Sequence, residues 1–296
     1  MTWMKKAAGL LGMGLAALAF GQAAGAPQET FRLSYGERDW SRLVIAQNAV
    51  YREENKVPAS GQTPAKETRQ SQDIGFEVEL RRLSKNADGS MDIEVTYRRK
   101  WRTTLREGEA AAAVDYSLIP GKKMTFRMFP DGNIVEIKGF ESFPKIIDPA
   151  TGQPIENSDF GYDIGHLFPR LPDKPVSVGS TWDAPESPDA IKRPGSEPPV
   201  FHYQIVGRVN KAGEDCLKIV ASRVGKRSAE RPASDGQTQQ VNSEYGRVDV
   251  SYYSLNKGMF VAKSISFQNK SMTRLETRPI GESALLALYE CAVAID

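Results

Sequence analysis

The chain has 296 residues and carries 39 Lys+Arg against 37 Asp+Glu, a formal charge of +2. That near-neutral balance excludes a basic nucleic-acid binder and a polybasic membrane-surface protein, for which excess positive charge supplies most of the affinity. With two histidines and two cysteines, there is little material for a metal site, and no cofactor is implied.

The first 26 residues read as an export signal. Lys5 and Lys6 form a short positive region. Ala7 to Phe20 form an apolar run shorter than the ~18–20 residues that would span a bilayer. The small residues Ala24, Gly25 and Ala26 follow, although Pro27 is an awkward neighbour for cleavage and favours a cut after Ala23 or Ala24. Removing Lys5 and Lys6 with the signal leaves 37 basic against 37 acidic residues. No later run approaches spanning length, so the expectation is an exported bacterial protein of the periplasm or cell surface with no transmembrane span.

From there the period is close to two. Phe76, Val78 and Leu80 alternate with Glu77, Glu79 and Arg81, and Ile93, Val95 and Tyr97 alternate with Asp92, Glu94 and Thr96. Half-buried antiparallel strands have this pattern. Turn chemistry separates the runs, at Asn86 to Gly89, Pro130 to Asn133, Asn210 to Gly213 and Asn256 to Gly258. The predicted fold is mostly β, with antiparallel hairpins in two related halves forming sandwich-like or part-barrel sheets. The halves span residues 27–145 and 176–296, joined by a Pro/Gly-rich connector, 146–175.

In the first half a strand ends near Trp40, followed by a polar stretch, Glu54 to Gln72, and hairpins across Asp73 to Trp101 and Met124 to Phe140. The second half runs from Trp182 through a Pro-rich stretch, Ala184 to Pro199, to hairpins across Val200 to Val224 and Val248 to Phe267. A polar loop, Gly225 to Ser243, separates those two. An offset near 125 residues sets Phe76 against Phe201 and Gly132 against Gly258, which suggests an internal repeat, although any two β-meanders can be aligned in this manner. A short helix is expected near Asp159 to Phe168 in the connector. Ala284 to Ile295 is almost wholly apolar and reads as a closing strand covered on both faces.

The motifs FPDGNIVEIKGF (Phe129 to Phe140), LFPRLPDKPVSVGSTW (Leu167 to Trp182) and YYSLNKGMFVAKSISF (Tyr252 to Phe267) occur in that order. With them the chain resembles an uncharacterised family of bacterial exported proteins of the domain-of-unknown-function type, over roughly residues 73 to 270. The resemblance implies β structure and an envelope location, and it carries no activity and no catalytic residues.

Three groups of residues are candidates for chemistry. Asp159, Asp163 and His166 would share one face of a helix and could present two carboxylates and an imidazole. Gly161 and Gly165 argue against a metal site there, because they weaken that helix. The second group is the row Arg98, Lys100, Arg102 and Arg106, expected on one face of a strand with Tyr97, Trp101 and Leu105 on the other. Such a row could grip a lipid head, a glycan carboxylate or a phosphate, with Trp101 beside it. Pairing of Glu77 with Arg98 and of Arg81 with Glu94 would neutralise part of the row and leave Lys100, Arg102 and Arg106 uncompensated.

The third group is the aromatic set Trp40, Trp101, Trp182, Phe126, Phe129, Tyr252, Tyr253, Phe260 and Phe267, which either fills a core or lines a cavity. Cys216 and Cys291 read as a disulfide in an oxidising compartment. No nucleophile elbow is present, so a non-enzymatic role is favoured over enzymatic ones. That role is binding of an amphipathic or anionic ligand, lipid or glycan, or of a partner envelope protein. The alternatives are a structural or assembly protein without a small ligand, and an envelope glycan hydrolase, which would need paired carboxylates about 5–10 Å apart in a cleft.

Overall fold

The computed structural model describes residues 29–36, 38, 40–59, 64–186, 199–232, 238–275 and 278–295. The proposed export signal and most of the Pro-rich stretch after Trp182 lie outside them. Strands dominate: β1 (Arg42–Val57), β2 (Lys66–Lys85), β3 (Met91–Arg106), β4 (Ala112–Ala113), β5 (Lys123–Met128), β6 (Ile134–Lys138), β7 (Ile146–Ile147), β8 (Pro154–Ile155), β9 (Thr181–Pro185), β10 (Val200–Lys211), β11 (Glu214–Pro232), β12 (Thr238–Ser254), β13 (Met259–Leu275) and β14 (Arg278–Ile295). The α-helix among the described residues is α1 (Ser158–Gly165), in the connector. No helix among the described residues is long and apolar enough to cross a membrane.

All the strands except β7 and β8 form one antiparallel sheet in the order β6-β5-β3-β2-β1-β14-β13-β12-β11-β10-β9, with β4 pairing β3. Two meanders meet edge to edge at β1 and β14, where Leu43 to Lys56 pair with Ile295 to Glu282. Laid flat, eleven strands at about 4.8 Å spacing would put β6 and β9 roughly 48 Å apart. Yet the connector's Arg170 reaches both ends. Its guanidinium donates to Asn133 Oδ1 (2.7 Å) and Asp131 Oδ2 (2.5 Å) in the β5–β6 turn, and its carbonyl accepts from Trp182 Nε1 (3.2 Å) on β9. The sheet therefore curls into a part-barrel that is not closed by strand pairing.

The connector fills the inside of the curl. Phe160, Ile164, Leu167, Phe168 and Leu171 are all buried in one core with Ile45, Val78, Leu80, Ile93, Val95, Phe126, Phe143, Ile205 and Phe260. Phe168 packs against Phe126 of one meander and Phe260 of the other, so the apolar plug ties the halves together. The β5–β6 turn abuts this plug. Gly132 sits at φ +82°, and a Cβ there would lie 2.6 Å from the Pro169 carbonyl oxygen and 2.7 Å from the Tyr35 ring. Only glycine meets both demands.

Several expectations change. The polar stretches Glu54 to Gln72 and Gly225 to Ser243 are largely strand, since β1 runs to Val57, β2 starts at Lys66, β11 runs to Pro232 and β12 starts at Thr238. These ends project beyond the plug with water on both faces, so pairing proceeds without apolar alternation. Near Trp40 there is only a bridge between Phe31 and Val176, and β1 begins after that residue. Ala284 to Ile295 is strand as expected, but β14 is covered on only one face and lies between β1 and β13. Leu288 on its outer side is 51% exposed, while Ala287 and Cys291 on its inner side are buried.

The proposed disulfide is not formed. Cys216 and Cys291 are both free and buried. β12 and β13 lie between their strands, and Cys291 shares its cross-strand row with Lys263, Ser251 and Ile219 rather than with Cys216. Three strand spacings of about 4.8 Å far exceed the ~7 Å limit between bridgeable Cα atoms.

Candidate functional site

The inner face of the curl changes character along the strands. Beyond its apolar layer lies a band of buried polar groups that includes Gln47, Lys100, Thr104, Asp249, Ser251, Lys263, Glu186 and the connector's His166. Charges seldom enter an interior unless paired, and here the pairs can be traced.

On the β3 side a bulge decides the arrangement. Register shifts between Glu77 and Val78, so that Val78 faces Tyr97 while Glu77 faces Arg99. Arg98 is the extra residue, and the alternation inverts after it. Tyr97 and Lys100 are consequently both inward and buried, whereas Trp101 turns outward. Trp101 lies over Gly75, where any Cβ would collide with the indole. It donates to Asp73 Oδ1 (3.1 Å) and carries Arg99 at 4.9 Å from its ring.

The expected row is therefore not one lip. Arg98 points out and pairs with Glu79 (2.7 Å) and Glu77 (3.3 Å). The Lys100 ammonium is sealed against Asp163 of α1, whose carboxylate also accepts from the Tyr97 hydroxyl (3.1 Å). Arg102 approaches Asp148 at 3.7 Å and Arg106 approaches Glu109 at 3.8 Å. Arg81 pairs with Glu94 in the predicted register, at 3.2 Å. The cations expected to be uncompensated thus have acidic partners, two of them supplied by the connector.

On the opposite wall, β12 and β13 supply a second ionic cluster. Arg247 contacts Asp249 (2.7 Å) and Glu186 (3.0 Å), and Lys263 contacts Asp249 (3.0 Å) while donating to the His166 carbonyl (2.8 Å). Burial pushes the Asp249 carboxyl up, but Lys263 and Arg247 outweigh it and hold it at about 2. Burial, with Arg247 and Lys263 adding to it, drives the His166 imidazole down to about 3. Neutral at physiological pH, its Nδ1 donates to the Tyr162 carbonyl. That leaves Nε2 buried with no hydrogen-bond partner.

Asp159, Asp163 and His166 do lie in and just after α1, but they do not converge. Asp163 serves Lys100 and His166 faces the second cluster. No group of three potential metal ligands occurs among the described residues.

Past these clusters α1 ends its cover, and the inner face continues as a half-buried floor. One cross-strand row runs from Tyr51 through Ala287 and Phe267 to Arg247 and Arg223. The next runs from Gln70 through Glu53, Leu285 and Asn269 to Tyr245. Tyr51, Phe267, Leu285, Tyr245 and Arg223 are each partly exposed. Tyr51 and Tyr289 share a short hydroxyl–hydroxyl hydrogen bond with their rings 5.3 Å apart, edge to face.

The far strand ends also frame a cleft of about 730 Å³. Its lining includes the row Glu54, Ala284, Lys270, Glu244 and Lys226, on the face opposite Tyr51 and Tyr245. Alternating charges run along this row, with Lys226 on Glu244 at 2.8 Å.

Sequence reasoning missed Arg223, Arg247, Asp249 and Lys263. Their signal was present. Lys263 falls in phase with Val261, Ile265 and Phe267, so a charge sits on the buried parity of its strand.

No protein-family model matches the chain, and no curated protein matches it. Among solved structures, one described as lipid-protein interactions in lipovitellin is similar at a TM-score of 0.47 and 7% identity. The match covers 87% of this chain and 26% of that one, so the chain spans about a quarter of that structure's length.

Proposed function

We propose that this is a non-enzymatic bacterial envelope protein, exported by the signal in residues 1–26, that holds an amphipathic ligand such as a lipid against the inner face of its curled sheet. One observation carries the reading. The inner face extends beyond the connector plug as a floor mixing Tyr51, Phe267, Leu285 and Tyr245 with Gln70, Gln72 and Asn269, all partly exposed. A concave surface offering both apolar area and hydrogen-bonding groups suits a molecule with a chain and a polar head. The plug occupies only the apolar end, and the floor beyond it stays partly exposed. The interior carboxylates Asp163, Asp249 and Glu186 are each held against a cation, which favours binding over acid–base chemistry.

The test is mass spectrometry of protein purified from its own envelope without detergent, under native and then denaturing conditions, followed by titration of the delipidated protein with a fluorescent polyene fatty acid. A stoichiometric amphiphile on the native protein, or saturable binding of the probe, is the expected result. A clean apo mass together with no saturable binding overturns the proposal and moves the weight to a structural role or a protein partner.

A further inference from the structure

Resting on that carrier reading, we propose that Arg223 is the site for the ligand's head group, and that this group is a single anion, a carboxylate or a phosphate monoester.

The other buried and half-buried cations of the inner face are occupied. Lys100, Arg102, Arg247 and Lys263 each have a carboxylate within 4.0 Å. Arg223 has none among the described residues. It donates to the Tyr245 hydroxyl at 2.7 Å, and its guanidinium lies 4.6 Å from the Tyr245 ring and 5.9 Å from the Phe201 ring. Register also sets it directly opposite Arg247. Like charges facing each other across strands are destabilising, and Arg247 already draws on both Glu186 and Asp249. The fold therefore keeps a second arginine beside a neutralised one, without an acid of its own.

Ring contacts and one hydroxyl hold the guanidinium without satisfying its charge. A planar fork held in this manner recognises a carboxylate or phosphate in bidentate fashion. The apolar part of the ligand has a path from there. Tyr245 on β12, Phe267 on β13 and Leu285 on β14 lie on successive strands, so the track crosses about 14 Å of sheet from β11 to β14.

The experiment titrates wild type, Arg223→Gln and Arg223→Lys with three probes: a polyene fatty acid, its methyl ester, and a lysophosphatidic acid competing with the fatty acid. Urea unfolding of each variant confirms that it is folded. Arg223→Gln should weaken the fatty acid about tenfold or more and leave the uncharged ester unchanged, while Arg223→Lys keeps part of the difference. Whichever of the two anions binds wild type more tightly identifies the head-group chemistry. Equal losses for acid and ester, or no loss for the acid, overturn the assignment of Arg223 while leaving the carrier reading standing. Absence of binding by any probe to wild type overturns the assignment of Arg223, and together with a clean apo mass of the native protein it overturns the carrier reading too.

Discussion

His166 shows how a single residue can report the state of the interior. Burial, with Arg247 and Lys263 beside it, keeps its imidazole neutral down to about pH 3. The unfolded chain binds that proton near pH 6.5. Because the folded value is depressed, the stability it contributes is full above pH 6.5 and is lost as pH falls toward 3. Asp249, held at about 2, adds its own loss only below about pH 4. Between pH 6.5 and 4, urea-unfolding free energy should fall by about 1 kcal/mol per unit, and His166→Gln should flatten that slope. An unchanged slope in the variant would show that the imidazole is solvated in the native state. The sequence placed His166 beside Asp163 but could not show which wall each would face, because that depends on the curl bringing β3 and β13 around one helix.

At the scale of elements, the bulge at Arg98 has the largest consequence. Strict alternation read from Ile93, Val95 and Tyr97 predicts Trp101 on the inner side and Lys100 on the outer, and one extra residue reverses both. Turn positions were legible because Gly89, Gly132, Gly213 and Gly258 supply the positive φ that hairpins need. The bulge was not, because Arg98-Arg99-Lys100 offers no glycine or change of polarity to mark where the register slips. Deleting Arg99 should remove the bulge and let Arg98 face Glu77, while Lys100 stays opposite Phe76 and inward against Asp163 and Trp101 stays opposite Gly75 and outward. The expected outcome is a cooperative thermal transition close to that of wild type, read by near-ultraviolet circular dichroism. A deletion variant that loses its cooperative transition would show that the bulge itself is needed for the fold.

For the whole molecule, stability rests on the connector plug and the continuous ladder, with no covalent cross-link. Cys216 and Cys291 sit on strands with two others between them, and burial raises both thiols, Cys291 to about 12. Protein kept in an oxidising buffer should therefore melt at the same temperature with and without reductant. Both thiols should resist alkylation until denaturant is added, then react fully, as counted by intact mass. A transition that drops on reduction would mean that a bridge forms and that β11 and β14 approach each other in solution.

Local chemistry in the chain was enough to establish strands, turns and a single short connector helix. Side-chain alternation and glycine-bearing turns act within a few residues and need no distant partner. The polar ends of β1, β2, β11 and β12 escaped that reading, since a ribbon wet on both faces satisfies its backbone by pairing while its side chains show no period. The buried ionic clusters, the inward turn of Lys100 and the exposure of Arg223 were decided by tertiary structure. Each depends on how far the sheet curls and which face the connector covers, and those distances arise only when residues more than a hundred positions apart, such as Phe126 and Phe260, pack on the same plug.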